Sequence, residues 1–347
     1  MAKKGFGIIG LGMIAEFHAQ AIEHMDNSVL VAGFDPVPGR AEAFAKKHNC
    51  RGYETLDEFL KDPDLEICTV ATPSGLHLDG AVAAANAKKH VIVEKPLEIT
   101  PERCAQIVEA CRKNGVQLSG VFPSRYHESA KLVKKAMEEG RFGKIAFADA
   151  QIKWYRSQEY YDSGAWRGTW KMDGGGCLMN QGIHAIDLLQ WFMGPVEEVS
   201  AYSATLGHER IEVEDTAAAI LRFKNGAVGT IEGTTCAYPG FLKRIEIMGT
   251  KGSAIIEEES LVQWKFAEET EEDERIRRKF SENTESGGGA ADPSAISFVH
   301  HQHLFEAFLE ALDKGKEPDI SGESASQSVR IICAAYDSAR TGKAVKL

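Results

Sequence analysis

The amino-acid sequence predicts an α/β protein in two parts: a doubly wound parallel sheet over residues 1–123, then an α+β domain with an antiparallel sheet over residues 124–347. Three observations lead there. Short apolar runs alternate with helix-length amphipathic stretches as far as residue 122, which implies parallel strands joined by right-handed crossovers. Beyond residue 195, strand-length segments follow one another across tight turns such as Asn225-Gly226, which implies hairpins. A chain of 347 residues is also long for a single core.

The first strand, residues 6–9, runs into Gly10-Leu11-Gly12-Met13-Ile14-Ala15, and helical spacing follows in Phe17, Ala21, Ile22 and Met25. Strand, glycine turn and helix in that order form a dinucleotide-binding fingerprint. Gly10 permits the tight turn, Gly12 lets the backbone approach a pyrophosphate, and Ala15 lets helix and strand pack closely. The amides that open the helix, at Met13 and Ile14, face the phosphates. A second strand, 30–34, ends at Asp35, where a carboxylate accepts hydrogen bonds from both adenosine ribose hydroxyls and repels a 2′-phosphate. The cofactor expected is therefore NAD rather than NADP, although Arg40 can hold a 2′-phosphate if Asp35 swings away.

The domain continues with helices at 39–48 and 56–61, a strand at 67–71 and an alanine-rich helix at 78–88. A strand at 90–93, a helix at 101–114 with Thr100 as N-cap, and a strand at 117–121 complete it. Ligands of such sheets sit beyond the carboxyl ends of the strands. Asp35, Thr72-Pro73 and Glu94-Lys95-Pro96 all fall at such ends. Thr72, Pro73, His77, Glu94 and Lys95 thus join the candidate cofactor residues, and a strand-end lysine in a cleft is placed to hydrogen-bond a substrate oxygen. The bland alternative is a surface lysine in a turn.

In the second part, helices are expected at 130–139, 175–193, 301–313 and 324–341, and a strand at 145–154. Further strands are expected at 198–205, 215–223, 227–236, 244–249, 253–258 and 260–265. Such a sheet can cover one face with helices and the other with a partner subunit, so a homodimer or homotetramer is expected. The charge run and glycines of 268–292 read as a solvated loop. A net charge of −11 argues against nucleic acid or an anionic membrane as partner. No apolar run reaches the ~20 residues of a membrane span. The N-terminus runs straight into the first strand, so a cytoplasmic chain is expected. Seven scattered cysteines without a C-x-x-C pair suggest reduced thiols.

Chemistry in the second part concentrates at Gly174-Gly175-Gly176 and the helix it opens. Asn180 and His184 stand four residues apart on one helical face, with Asp187 one turn further. Histidine suits proton abstraction near neutral pH, and the competing reading is a core histidine satisfied by Asp187 or a backbone carbonyl. Aromatics beside arginines, in Tyr155-Arg156 and Trp166-Arg167, suit a carbohydrate, since rings stack on sugar faces while arginine holds hydroxyl or carboxylate oxygens. Core packing is the alternative for Trp166 and Trp170. The run His300-His301-Gln302-His303 opens an apolar helix without ligand spacing, and no metal is expected.

Taken together, Gly10-Leu11-Gly12-Met13-Ile14-Ala15, Glu94-Lys95-Pro96 and the glycines before His184 resemble the Gfo/Idh/MocA oxidoreductases over essentially the whole chain. The resemblance implies a Rossmann domain followed by a large, mostly antiparallel open sheet, and oxidation or reduction of a sugar or cyclitol carbon with NAD or NADP. It maps the family's lysine onto Lys95 and its histidine onto His184. Many members carry Asp where this chain has Asn180, and an amide cannot relay a proton, so Asn180 is read as orienting substrate or His184. The segments around Tyr155-Arg156, Trp166-Arg167 and Met179 to His184, with Asp292-Pro293, are most similar to the branch containing UDP-N-acetylglucosaminuronate 3-dehydrogenases. The resemblance implies that His184 is general base for a secondary sugar hydroxyl, at C3 in that branch. Lys95 stabilises the developing oxygen charge, and Asn180, Arg125, Tyr155, Arg156 and Trp166 position the substrate. Two alternatives stand beside this reading: a glycoside hydrolase or lyase with transient C3 oxidation, which the same residues would serve, and a non-catalytic dinucleotide sensor, against which the intact Lys95 and His184 speak.

Overall fold

The computed structural model describes residues 3–281 and 297–347; the Ser286 to Gly289 and Asp292-Pro293 features lie outside the described residues. The chain divides into two compact units, Met1–Pro123 with Ser297–Val329, and Ser124–Ile296 with Arg330–Leu347. Residues 297–329 thus pack with the first unit, although the sequence alone assigns them to the second part.

The first unit is a six-stranded parallel sheet made of β1 (Lys4–Ile9), β2 (Ser28–Phe34), β3 (Arg51–Tyr53), β4 (Ile67–Val70), β5 (His90–Val93) and β6 (Leu118–Gly120). Its order is β3-β2-β1-β4-β5-β6. The order reverses between β1 and β4, which opens a crevice at their carboxyl ends. Strand β3 is missing from the sequence reading because Arg-Gly-Tyr has no apolar pattern. Gly52 belongs there for a steric reason, since a Cβ would stand 2.5 Å from the Ala41 carbonyl oxygen. Helices α1 (Met13–Glu23), α2 (Arg40–His48), α3 (Leu56–Leu60), α4 (His77–Asn86) and α5 (Pro101–Asn114) connect the strands. Thr100 caps α5 through the Arg103 amide, with Pro101 at its first position. The helix Val299–Asp313 packs along α1 and brings Phe305 against Phe6, ring centroids 5.9 Å apart.

The second unit holds α6 (Glu128–Glu138), β7 (Ile145–Lys153), α7 (Gln158–Asp162), a π-helical turn (Cys177–Gly182) and α8 (Ile183–Met193). Six more strands follow: β8 (Val196–Ala204), β9 (Thr216–Phe223), β10 (Val228–Thr234), β11 (Arg244–Gly249), β12 (Gly252–Glu257) and β13 (Ser260–Phe266). With β14 (Val345–Lys346) they form an eight-stranded sheet in the order β13-β12-β11-β7-β10-β9-β8-β14. Only the β7–β10 pair is parallel among its ladders. Alternation is strict: Ala217, Ala219, Leu221 and Phe223 are buried while Ala218, Ile220 and Arg222 face outward. The outward face exposes Phe147, Tyr202, Ile220 and Val228.

The solvated-loop reading of 268–292 is corrected over part of its length. Glu271–Ser281 is a helix, α9, packed on β13. Its charged surface hides two buried residues, Asp273 and Ile276. Asp273 accepts from both terminal nitrogens of Arg141 at 2.8 and 2.7 Å, from Trp264 Nε1 at 2.7 Å and from the Thr270 amide at 2.8 Å. With Ile276 and Phe280 as its only apolar residues, the helix gives too thin an apolar stripe for a sequence reading to detect. No helix of the described residues is long and apolar enough to cross a membrane, and all seven cysteines are free thiols.

One carboxylate stands against its surroundings. Asp149, buried in the middle of the outward sheet face, lies directly across from Glu246 on β11. Burial, then the Glu246 charge, pushes its pKa up to about 6. A raised acid costs stability as pH climbs from the unfolded value of about 4 to the folded value, and the whole penalty is present above it. Asp149→Asn therefore raises the melting temperature at pH 8 by the equivalent of about 1–3 kcal/mol and leaves it nearly unchanged at pH 4. Thermal denaturation of both proteins across that range checks this.

Candidate active site

In the first unit the glycine loop adopts the geometry its sequence requires. Gly10 has φ of +90°, and a Cβ there would stand 2.8 Å from the Thr72 amide nitrogen. At Gly12 a Cβ would meet nothing within 4 Å, so the backbone is open on that side, at the start of α1. Met13 is exposed and Ile14 half-buried beside it. Asp35 is buried, and its carboxylate accepts from the Leu11 amide at 2.9 Å and the Val37 amide at 2.9 Å. Arg40 Nη1 lies 3.1 Å from Asp35 Oδ2, so the pair neutralises itself and the arginine is held at the carboxylate. At the end of β4, Thr72 Oγ1 is shielded from solvent and has no hydrogen-bond partner among the described residues. An open glycine turn, a carboxylate at the end of β2 and an orphaned hydroxyl at the end of β4 fit a dinucleotide lying across the crevice.

His77 is a strut. Its Nδ1 lies 2.8 Å from the Pro96 carbonyl oxygen and its Nε2 2.9 Å from that of Thr72, so both ring nitrogens serve the loops that follow β4 and β5. Burial pushes its pKa down, and a neutral ring donates to one carbonyl at a time. Glu94 is similarly enclosed: His18 Nε2 is 2.8 Å from Oε1, His301 Nε2 is 3.7 Å from the same oxygen, and the Lys95 amide donates to Oε2 at 3.0 Å. Burial works to raise the Glu94 carboxyl, but the His18 and His301 imidazoles outweigh it and hold it well below the usual carboxylate range. Burial pushes His18 down against the pull of Glu94. Lys95 itself is half-buried, on a backbone fixed by a buried anion.

In the second unit the turn before His184 is a π-helix, not the first turn of one long α-helix. Gly182 explains it, because a Cβ there would stand 2.9 Å from the Cys177 carbonyl oxygen five residues back. The α-helical face expected for Asn180, His184 and Asp187 is corrected accordingly. Asp187 is not the partner of His184. It forms a buried fork with Arg125, Nε–Oδ2 2.8 Å and Nη2–Oδ1 2.6 Å, where burial raises the Asp187 carboxyl and Arg125 opposes it. Breaking such a pair from one side costs about 3–5 kcal/mol. Arg125 is thus an anchor of α8 rather than an open sugar ligand. His184 is half-buried at the start of α8.

Asn180 sits in a polar network. Its Nδ2 donates to Asp173, and its Oδ1 accepts from Gln181 Nε2 at 2.8 Å. Gln181 also donates to the Tyr160 hydroxyl at 2.9 Å and accepts from Arg156 Nε at 3.1 Å. Arg167 donates to the same hydroxyl at 2.7 Å and lies over the rings of Tyr160 and Trp166, at 4.4 and 4.5 Å. The structure thus brings Asn180, Arg156 and Trp166 together through Gln181, Tyr160 and Arg167. Tyr155 instead packs its ring against Tyr238, centroids 5.2 Å apart. Gln181 and Asp173 are visible in the motif as sequence neighbours; Tyr160 carries no signal.

Within the first unit His18, Glu94 and His301 have metal-ligand composition, and within the second His208, Asp215 and Cys236 do, each with ligand atoms within 4.8 Å of one another. Both are already engaged in hydrogen bonds. Asp215 accepts from the amides of Leu206, Gly207 and His208, and Glu94 from His18 and Lys95.

A family model described as an NAD-binding Rossmann-fold oxidoreductase family matches residues 4–122, and one for the GFO/IDH/MocA C-terminal domain matches residues 130–255. The WlbA dehydrogenase of Bordetella pertussis, solved with NADH and UDP-GlcNAcA, is 36% identical with a TM-score of 0.88 over 99% of both chains. Myo-inositol 2-dehydrogenase of Thermotoga maritima is 28% identical over 98% of both chains. Levoglucosan dehydrogenase of Pseudarthrobacter phenanthrenivorans is 29% identical over 74% of each.

Asp35→Ala removes the anion at the ribose position and releases Arg40. The expected result is NAD binding weakened by about 10-fold or more while NADP binding improves, read from nicotinamide fluorescence titrations of both proteins. Paired glycine turn and strand-end carboxylate, the Glu-Lys-Pro corner and matches over both units place this chain in the Gfo/Idh/MocA family of NAD-binding oxidoreductases.

Proposed function

We propose that the protein oxidises a secondary hydroxyl of a sugar or sugar derivative, at C3, with NAD as hydride acceptor. The observation that carries this reading is the setting of the turn before His184. A guanidinium lies between aromatic faces there, and an amide network holds Asn180 in place. Rings suit the apolar faces of a sugar, and a planar guanidinium suits its oxygens. Arg167 Nη1 donates to the Tyr160 hydroxyl and its guanidinium lies over two rings, a setting that suits a sugar bearing its own acidic group, and UDP-GlcNAcA is the first candidate.

Gly10, Gly12, Asp35 and Thr72 hold the dinucleotide, which when bound supplies the hydride acceptor. His184 takes the proton of the reacting hydroxyl, and Lys95 donates a hydrogen bond to the same oxygen as its negative charge develops. Asn180 and Arg156 orient the sugar. The outward face of the second sheet is covered by another copy of the chain, since Phe147 and Val228 sit on adjoining strands in one exposed apolar strip.

The test is NADH fluorescence over inositols, anhydrosugars, uronic acids and UDP-sugars. Lys95→Ala and His184→Ala each lower turnover of the reactive sugar by about 100-fold or more while NAD still binds. Because both act on one oxygen, the double variant loses much less than the product of the single losses. Normal turnover in both single variants would sink the assignment. Arg167→Ala raises KM for an acidic sugar more than for a neutral one.

A further inference from the structure

We propose that Glu214, held by Tyr336, is a positioning residue that sets the register of the π-helical turn delivering Asn180 and leading into His184. The inference rests on the reading of His184 as the proton acceptor. Its own support is a set of contacts within the second unit.

The opening amides of a helical turn have no partner within the turn. Here three consecutive amides are all satisfied by one residue. Gly176 donates to Glu214 Oε2 at 2.9 Å, Leu178 donates to Oε1 at 2.9 Å, and Cys177 donates to the Glu214 backbone carbonyl at 3.1 Å. The Tyr336 hydroxyl donates to Oε1 at 2.8 Å. The glycines match this arrangement. A Cβ on Gly176 would stand 1.8 Å from the Glu214 carbonyl oxygen, and one on Gly175 would stand 2.2 Å from the Tyr336 hydroxyl. The triple glycine therefore admits a protein carboxylate, and it leaves the turn one seating.

The seating matters because a π-turn is a poor local conformation with an α-helical alternative close by. The two differ in the rotation accumulated between successive residues, so the same sequence in α geometry would aim Asn180 differently relative to His184. An anchor that binds the first three amides at once decides which residue begins the turn. Both carboxylate oxygens are needed. A glutamine would present one acceptor and one N–H group to two amide donors.

Glu214→Gln and Tyr336→Phe test this with the full-length protein, by NMR of the His184 imidazole, its resonance identified by loss in His184→Ala. Both variants are expected to displace that resonance and its titration midpoint. Glu214→Gln also lowers kcat about 10-fold or more, on whichever panel sugar reduces NAD, with KM for NAD unchanged. Folded variants with a superposable His184 titration and normal kcat would overturn the proposal, because a merely structural role moves only the melting temperature. If Glu214→Gln does not fold, Tyr336→Phe, which removes one hydroxyl, decides by the same two readouts. An active His184→Ala would remove the functional reading, while the displaced or undisplaced resonance would still judge the positioning claim.

Discussion

Backbone meeting backbone at Gly176 is the constraint on which the second unit's candidate site depends. No side chain fits where the Glu214 carbonyl lies 1.8 Å from a would-be Cβ, and that closeness lets one carboxylate reach the amides on either side. The first unit uses the same device at Gly10, pressed against Thr72, and then does the opposite at Gly12, where the space is left open. Two glycine-rich turns of similar composition thus receive different anions. One leaves its backbone open at the start of α1, where our proposal would seat a cofactor phosphate, and the other turns its amides toward a glutamate of its own chain.

That difference marks the limit of what sequence could disclose. Both sheet types and most of their strands and helices were legible because burial repeats with a period of two in β9 and 3.6 in the helices, and those periods survive in the residue string, whereas the order of strands within each sheet was not. The Glu-Lys-Pro corner and Asp35 were legible because their positions follow from strand ends. Helix α9 was not, since only Asp273 and Ile276 are fully buried and nearly all the rest but the half-buried Phe280 is charge. The π-turn was not, since residue spacing reads identically in α and π geometry. Asp173 and Gln181, the partners of Asn180, stand beside it in the motif, but Tyr160 and Arg156, which hold Gln181, come from a separate segment and gave no signal of that contact. The competing reading, a core histidine satisfied by Asp187, loses that partner for a related reason: a helix face names neighbours on that helix, and Arg125 comes from elsewhere.

Buried imidazoles recur as struts in the first unit. His18, His77 and His301 are all buried, and they fix carbonyls or a carboxylate at the ends of β4 and β5. A neutral ring can donate to an anion in a low-dielectric setting without adding a second buried charge, which is cheaper than desolvating a full ion pair. This explains how Glu94 remains anionic beneath the Lys95 backbone without a cation of its own. It also gives part of the histidine-rich run at 300–303 a place: His301 Nε2 stands 3.7 Å from the carboxylate that His18 bonds.

Charge then constrains what the second unit can bind. With a net charge of −11, the protein's overall field opposes an acidic ligand at long range. At physiological salt that field decays over about 8 Å, so it slows approach more than it weakens contact. Local pairing decides the rest. Arg51, Arg103, Arg125 and Arg141 are each matched to a carboxylate and offer an incoming anion little. Among the described residues Arg167 donates to a phenol and lies over two rings, which orient its plane without cancelling its charge. A guanidinium kept flat by a phenol and two rings in an otherwise acidic protein is suited to act at contact distance, where the opposing field counts least.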